Sequence, residues 1–165
     1  MVPAPAPNTP EAADAVVATA VAAAEPMAAV PPATCAGRLT PIADAVEADA
    51  EPLAALADEE TALGLPRLTG ELAGAARALR FYGSVAAEGS YLQAAIDRAA
   101  AGRPDVRRVN VPLGPVAVFG ASNFPFGFGV LGHDTASALA AGCPVVVKAH
   151  PAHPRLSARL AERSS

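Results

Sequence analysis

Two valine-rich runs constrain the fold of this chain more than any other feature. The first reads VAVFG at residues 116–120, and the second reads VVV at residues 145–147. Both runs are continuously apolar, which is typical of parallel strands that are covered on both faces. The segment at residues 121–143 is long enough to be the helical crossover that joins two parallel strands. The sequence therefore predicts a β-α-β unit and an α/β fold.

The segment between the two runs also carries the signal that ends a helix. Ala136, Leu139 and Ala140 recur at helical spacing, and Gly142 follows them. Glycine is favoured just past the end of a helix, and proline, here Pro144, is common immediately beyond it. We therefore predict a helix that ends at Gly142, directly before the second strand.

The chain before residue 105 predicts helices instead. Residues 1–10 contain four prolines among small residues and predict a disordered tail. Residues 11–63 alternate alanine-rich stretches with prolines, which favours three short helices because proline stops or begins a helix. From residue 65 to about residue 87, apolar residues recur every three or four positions, which predicts one long amphipathic helix. Gly70 and Gly74 lie one turn apart in it and would permit close packing on a neighbour.

The charge of the chain argues against two classes of partner. The net charge is −4, whereas proteins that bind nucleic acid or anionic membranes need a basic face. Residues 1–62 carry a net charge of −9 and residues 63–165 a net charge of +5. Solvated helix faces are the usual explanation for such a division. The alternative is a second half that attracts an anionic ligand.

Cysteine usage and the absence of a targeting pattern indicate a cytoplasmic protein. Cys35 and Cys143 form no CxxC pair, which fits a reducing compartment. The apolar run at residues 15–24 is too short to span a bilayer. No positive side chain precedes Arg38, so neither a secretory signal nor a mitochondrial targeting peptide is expected.

Polar side chains follow each of the two predicted strands. Asn123 follows the first strand and Lys148 ends the second. Ligands of open α/β sheets bind at the carboxyl ends of the strands, where both residues would lie. Lys148 is the one lysine in a chain with eleven arginines, and its ammonium suits hydroxyl or phosphate oxygens. The alternatives are a lysine that only reaches water and an asparagine that only forms a turn.

Three other patterns do not predict sites. The sequence GFGVLG at residues 127–132 matches a dinucleotide-binding pattern, but it starts seven residues after the strand and lacks the acidic residue expected downstream. Glycines that let the helix pack closely on the sheet are the preferred explanation. His150 and His153 have no carboxylate beside them, so no metal site is predicted. Cys143 enters a buried strand and is expected to be an inert core thiol.

Two motifs surround the predicted strands, VPLGPVAVFGASNFP at residues 111–125 and GHDTASALAAGCPVVVKAHPAHP at residues 132–154. In these motifs the sequence resembles the aldehyde dehydrogenase superfamily, most of all its branch that oxidises α-ketoglutarate semialdehyde. A weaker likeness to the family's N-terminal helices extends the resemblance to residues 11–154. The resemblance implies a Rossmann-like domain that binds NADP or NAD. It also implies oxidation of a small-molecule aldehyde to an acid through a cysteine thioester.

The resemblance assigns roles to residues around both strands. Asn123 matches the family's asparagine that donates to the substrate oxyanion, and Lys148 matches the lysine that contacts the adenosine ribose or a 2′-phosphate. Pro151 stands where members that prefer NAD often have a glutamate, so use of NADP is at least as well supported as use of NAD. The implied cofactor-binding residues are Phe119, Gly120, Ala121, Ser122, Lys148, His150 and Pro151.

The same resemblance divides the chain and limits its activity. We expect helices over residues 11–104, a Rossmann-like β-α-β unit with the cofactor loop over residues 105–154, and a tail unlike the family over residues 155–165. The family's nucleophilic cysteine and general-base glutamate would lie further on, so we expect an N-terminal fragment that is inactive alone. The alternative is a non-catalytic fragment that pairs with a partner, such as a full-length homologue or a complementing fragment, through open sheet edges. A short strand at residues 109–111 could also pair with another subunit.

Overall fold

Six α-helices, one short 3-10 helix (Ser90–Leu92) and four short strands make up the part of the chain that a computed structural model describes, residues 8–163. The helices are α1 (Pro10–Ala28), α2 (Pro32–Ala48), α3 (Ala50–Thr61), α4 (Leu65–Glu88), α5 (His133–Ala140) and α6 (Pro154–Glu162). The strands are β1 (Ala95–Asp97), β2 (Val106–Arg108), β3 (Val116–Phe119) and β4 (Val145–Lys148). A helical first part followed by a β-α-β unit confirms the α/β fold class.

Helix α4 forms the centre of the core, as its apolar spacing predicts. Leu68, Leu72 and Leu79 are at most 1% exposed, and α4 packs against α2, α3 and α5. These three leucines lie on one face because positions three or four residues apart fall on the same side of a helix. A long helix that contacts three others fixes the frame on which the strands and loops are placed.

The close approach of α4 to a neighbouring helix occurs at Gly83 rather than at the two glycines that the sequence suggested. A Cβ on Gly83 would lie 3.5 Å from the carbonyl oxygen of Ala36 in α2. A Cβ on Gly70 would meet nothing within 4 Å, and one on Gly74 would meet only the guanidinium of Arg77. Gly70 and Gly74 therefore lie on the outer side of α4, and the prediction that they permit close packing is wrong.

The three helices predicted before residue 63 are present, although not every proline bounds one. Pro10 and Pro32 are the first residues of α1 and α2, where the missing N–H costs nothing. Pro26 and Pro41 lie inside α1 and α2 instead. Of the predicted disordered tail, residues 1–7 lie outside the described residues, and Pro10 already belongs to α1. Within residues 8–163, no helix is long and apolar enough to cross a membrane.

The predicted β-α-β unit is confirmed. Strands β3 and β4 pair in parallel, with Val116 opposite Val145 and Phe119 opposite Lys148. Helix α5 lies between them in sequence and ends as predicted, since Gly142 adopts a left-handed φ of 81°. The N–H of Gly142 donates to Leu139 and the N–H of the next residue to Ala138, which satisfies the last carbonyls of the helix.

The short strand expected at residues 109–111 lies a few residues earlier. Strand β2 pairs antiparallel with β1, and Ile96 lies opposite Arg107. Asn110 instead holds its segment against the short 3-10 helix that follows α4, because its backbone N–H donates to Leu92 and its side-chain amide to Tyr91. The segment at residues 109–111 is therefore fixed by an asparagine and forms no strand of its own.

The residues expected to form a tail after residue 154 instead form helix α6 and complete the core. Leu156 and Leu160 are at most 2% exposed and join the apolar cluster around Leu72. Glu60 of α3 stabilises the start of α6, since its carboxylate accepts the backbone N–H groups of Arg155 and Leu156 at 3.0 and 2.9 Å. The prediction of a separate tail fails because these contacts join residues that are far apart in sequence.

Ion pairs between the two parts of the chain offset some of the division of charge. Arg80 of α4 contacts Asp44 and Glu47 of α2 at 2.5 and 2.7 Å. Near the end of the described chain, Arg155 pairs with Glu59, and both Arg159 and Arg163 pair with Asp49. Four of the eleven cations of the second part therefore pair with an acid of the first part.

Candidate functional site

The carboxyl ends of β3 and β4 bring the two predicted site segments together. The N–H of Gly120, directly after β3, donates to the carbonyl of Lys148 at 3.0 Å. A Cβ on Gly120 would lie 3.3 Å from the backbone nitrogen of His150, so the two segments run in close contact there. The edge predicted from the two strands therefore exists, with the loop after β3 on one side and Lys148 on the other.

The loop after β3 is anchored by two buried residues and exposes the residues before them. Pro125 and Phe126 are buried, and Phe126, at 1% exposure, belongs to the apolar cluster around α4. The loop closes on itself, because the N–H of Ala121 donates to the carbonyl of Phe128 at 2.9 Å. Asn123 lies on the exposed part of this loop. Its side chain is thus presented to the outside by a loop with a fixed base.

His153 joins the start of this loop to helix α6. Its imidazole is 1% exposed, and Nε2 lies 2.8 Å from the carbonyl oxygen of Ala121. Because a carbonyl oxygen only accepts, this contact requires a proton on Nε2. The other ring nitrogen, Nδ1, lies 3.2 Å from the hydroxyl of Ser157. His153 therefore fixes the position of Ala121, one of the predicted cofactor-binding residues.

Lys148 provides the positive charge at this edge. It is exposed and takes part in no ion pair with another residue of the range 8–163. His150 lies beside it and stays neutral near pH 7, because its pKa is lowered first by burial and further by the neighbouring His153 and Lys148. The Nδ1 atom of His150 accepts the N–H of Ala152, which also requires an unprotonated Nδ1.

Two charged residues of α4 belong to the site and were missed in the sequence. Glu71 accepts the N–H groups of Phe126 and Gly127 at 2.8 and 2.9 Å. The guanidinium of Arg67 donates to the backbone carbonyl of Asn123. The only signal in the sequence is that Glu71 interrupts the apolar face of α4 directly before a buried leucine. That signal does not reveal which loop the carboxylate contacts.

The glycines of the rejected dinucleotide-binding pattern serve the loop itself. A Cβ on Gly129 would overlap the carbonyl of Pro125, and one on Gly132 would overlap the carbonyl of Gly127. The expectation that these glycines let a helix approach the sheet is therefore wrong. They allow two passes of the loop backbone to lie against each other, which fixes the loop that carries Asn123.

Neither cysteine of the chain lies at this edge. Cys35 belongs to α2, Cys143 precedes β4, and both are buried as free thiols. Both line a cavity of about 910 Å³ on another side of the sheet. The cavity lies between α1, β3, α5 and residues 109–113, and its walls are mostly apolar. Within residues 8–163 no group of three or more histidines, cysteines or acids could hold a metal ion.

Comparison with known proteins identifies the family. A sequence model of the aldehyde dehydrogenase family matches residues 4–164. The chain belongs to this family. The match includes helix α6, so the aldehyde dehydrogenase likeness continues past residue 154, where the motifs had indicated that it stops.

Curated aldehyde dehydrogenases of one type are similar to this chain. It is 49% identical over 130 residues to alpha-ketoglutaric semialdehyde dehydrogenase 2 of Azospirillum brasilense, a match that covers 76% of this chain and 25% of that protein. It is 43% identical over 120 residues to alpha-ketoglutaric semialdehyde dehydrogenase of Acinetobacter baylyi, covering 70% of this chain and 23% of that protein. The matched part is thus about a quarter of the length of these relatives.

Solved structures share the fold of this aldehyde dehydrogenase chain. Proline utilization A of Bradyrhizobium japonicum superposes with a TM-score of 0.83 at 27% identity, covering 96% of this chain and 16% of that one. A structure described as giving insights into cofactor and substrate selection by Gox0499 superposes with a TM-score of 0.79 at 22% identity. That match covers 95% of this chain and 33% of the other.

Proposed function

We propose that this chain supplies the cofactor-side edge of an NAD(P)-dependent aldehyde dehydrogenase that oxidises α-ketoglutarate semialdehyde. The observation that carries the proposal is the parallel register of β3 and β4, with Phe119 opposite Lys148. This register puts the loop with Asn123 and the cationic Lys148 at one edge of the sheet, where ligands of such sheets bind. The relatives named above support the choice of aldehyde.

The groups at this edge fit the adenosine side of a dinucleotide. The exposed ammonium of Lys148 can donate to ribose hydroxyls or to a 2′-phosphate. Pro151 is exposed beside it and carries no charge that would repel a phosphate. When bound, the nicotinamide of the cofactor accepts a hydride. The residues that would lie along it are Phe119, Gly120, Ala121 and Ser122. His150 and Pro151 would lie beside them, after the carboxyl end of the neighbouring strand β4.

Asn123 is assigned to the substrate. Its side-chain amide would donate a hydrogen bond to the oxygen that gains negative charge when the aldehyde carbon is attacked. Such a donor contributes on the order of 3–4 kcal/mol of transition-state stabilisation in other enzymes. The fixed base of its loop supports this role, because a donor contributes most when it is already in place.

Turnover by the 165 residues alone is not expected. The family forms its thioester on a cysteine, and both cysteines of this chain are buried away from Asn123. Purified protein mixed with α-ketoglutarate semialdehyde and NADP or NAD should therefore give no absorbance of reduced cofactor at 340 nm. Steady formation of reduced cofactor would refute the inactivity of this chain.

Cofactor recognition can be tested by NMR, which detects weak binding. We expect NADP to shift the amide resonances of Gly120, Ser122, Lys148 and His150 in the 165-residue protein. Lys148→Ala should weaken binding about tenfold or more, because charge-assisted hydrogen bonds are lost. Arg98→Ala, a change in an exposed arginine outside the site, is the control and should leave the affinity unchanged.

The same titration tests the preference between cofactors. Pro151→Glu would introduce a carboxylate beside the proposed 2′-phosphate position, so it should weaken the binding of NADP more than that of NAD. The proposal is overturned if NADP shifts no resonance at this edge, or if Lys148→Ala and Arg98→Ala bind it equally well.

A second candidate function is that of a non-catalytic fragment that pairs with a second copy. The observation that favours it is a group of largely exposed apolar side chains that line the same cavity, among them Val111, Leu113 and Phe119, which are 74%, 93% and 72% exposed. Contiguous exposed apolar surface marks interaction sites. Light scattering coupled to size-exclusion chromatography should then give the mass of a dimer, and a monomer at high concentration would exclude this candidate.

A further inference from the structure

Helix α4 contacts the loop that carries Asn123 through two charged side chains one turn apart. We propose that Glu71 and Arg67 are positioning residues that set where Asn123 lies relative to the sheet edge. The proposal extends the proposed function, because it explains how the donor to the substrate oxygen is held in place. We assign neither residue a contact with substrate or cofactor.

Glu71 holds the buried end of the loop. One carboxylate oxygen, Oε1, accepts two consecutive backbone N–H groups, those of Phe126 and Gly127, at 2.8 and 2.9 Å. These are charge-assisted hydrogen bonds, which are stronger than those between neutral groups. Two bonds to consecutive amides fix both the position and the direction of the backbone. The loop segment after Asn123 is therefore tied to α4.

The second oxygen of Glu71 shows that the carboxylate is placed there at a cost. Oε2 is buried and has no hydrogen-bond partner within residues 8–163. A buried polar atom without a partner is destabilising, so a neutral apolar residue would suit the packing of α4 better. The presence of a carboxylate here, despite the destabilising Oε2, is explained if the two amide contacts through Oε1 hold the loop in a defined position.

Arg67 holds the exposed part of the same loop. It lies four residues before Glu71, so both side chains project from one face of α4. Its guanidinium donates to the backbone carbonyl of Asn123 and lies 4.9 Å from the ring centre of Phe124. The contact with the ring is a cation–π interaction. Arg67 therefore acts on Asn123 itself, while Glu71 acts three and four residues further on.

The exposed part of the loop needs these contacts because burial does not hold it. Ser122, Asn123 and Phe124 are all exposed, whereas Pro125 to Gly127 are buried. The buried segment would fix only the base of the loop. With Arg67 at Asn123 and Glu71 at Gly127, the segment that carries the proposed oxyanion donor is held at both ends from one rigid helix.

Hydrogen exchange of the 165-residue protein without ligand tests the proposal. In Glu71→Ala the amides of Phe126 and Gly127 should exchange about tenfold to hundredfold faster, and the side-chain amide resonance of Asn123 should shift. Glu71→Gln keeps one carbonyl oxygen as an acceptor, so it should restore part of the protection. Arg67→Ala should shift the resonances of Asn123 and Phe124 and leave protection at Gly127 largely intact.

Glu60→Ala is the matched control. Glu60 also accepts two consecutive amides, those of Arg155 and Leu156, but it stabilises α6 instead of the loop. Its loss should expose those two amides and leave Phe126 and Gly127 within about twofold of the unaltered protein. The proposal is wrong if Glu71→Ala accelerates exchange equally along α4, if it leaves the loop unchanged, or if the Asn123 resonance does not move. No cofactor is present, so failure of the proposed function would not affect this result.

Discussion

The core face of α4 and the region that leads into and ends β3 differ in how far their apolar side chains are buried. Leu68, Leu72 and Leu79 of α4 are almost completely buried, whereas Val111, Leu113 and Phe119 beside or within the sheet are exposed. The ion pairs follow the same division. Those between elements of the described chain join α2 to α4 and α3 to α6, and none involves a residue of β3 or β4.

The difference separates what stabilises the chain from what is available for binding. The helical part is closed by apolar contacts and by charge pairs, so it can act as a rigid support. The sheet edge retains an exposed cation, an exposed loop and uncovered apolar residues. A site of this kind depends on the helical part for its geometry and contributes little to stability in return.

The largest expected effect comes from making one substitution in each region. Leu72→Ala should lower the free energy of unfolding by about 2–5 kcal/mol, because it removes a buried side chain from the centre of the core. Leu113→Ala removes the same atoms from a side chain that is 93% exposed. This substitution should change the free energy of unfolding by less than about 0.5 kcal/mol. Urea denaturation followed by circular dichroism measures both. Similar losses in the two variants would mean that Leu113 is covered in solution.

A smaller effect tests how closely the backbone packs in the loop after β3. Gly129→Ala should cost about 1–3 kcal/mol, since the added Cβ would overlap the carbonyl of Pro125 and the loop must move. Gly70→Ala, in the helical region, meets nothing within 4 Å and should stabilise the protein by about 1 kcal/mol. If Gly129→Ala is as well tolerated as Gly70→Ala in the same denaturation experiment, the loop is not fixed as described.

The smallest effect concerns pH and is confined to the helical region. Hydrogen bonds from Arg80 and Arg155 lower the pKa values of Glu47 and Glu59, whose ordinary value is 4.5. Because these pKa values are depressed in the folded state, the stabilisation is present above pH 4.5 and is lost as the pH falls below it. The melting temperature should fall on acidification, and less steeply in Arg80→Gln. If the melting temperature falls with pH equally steeply in Arg80→Gln, the Arg80–Glu47 pair contributes nothing to stability.

Sequence reasoning succeeded where the signals are local. The valine runs, the left-handed Gly142 and the apolar spacing of α4 each reflect a preference that acts within a few residues, and all three predictions are confirmed. Asn123 and Lys148 lie at the predicted edge for the same reason, because strand ends follow from strand positions. Their assigned roles in binding and catalysis stay predictions.

The failures with the largest structural consequences involve contacts between distant parts of the chain. Helix α6 depends on Glu60, which lies about ninety-five residues before the amides that it accepts. The contact of Glu71 with Phe126 joins residues 55 positions apart. Gly83 is close to α2 only once the helices are packed. A single sequence shows a charged residue on an apolar face or a glycine in a helix, but it does not show what that residue meets after folding.

The pairing between Glu60 and the start of α6 also bears on when the core can close as the chain is synthesised. Residues 1–62 carry a net charge of −9. The arginines that pair with Glu59 and Asp49 in the folded chain are translated about a hundred residues later. Domains generally fold as units once enough of the chain has emerged. Leu156 and Leu160 complete the same apolar cluster as Leu53 and Leu72, so that core closes only after α6 has been translated. Until then, Leu53 and Leu72 lack two of the buried neighbours that they have in the folded chain.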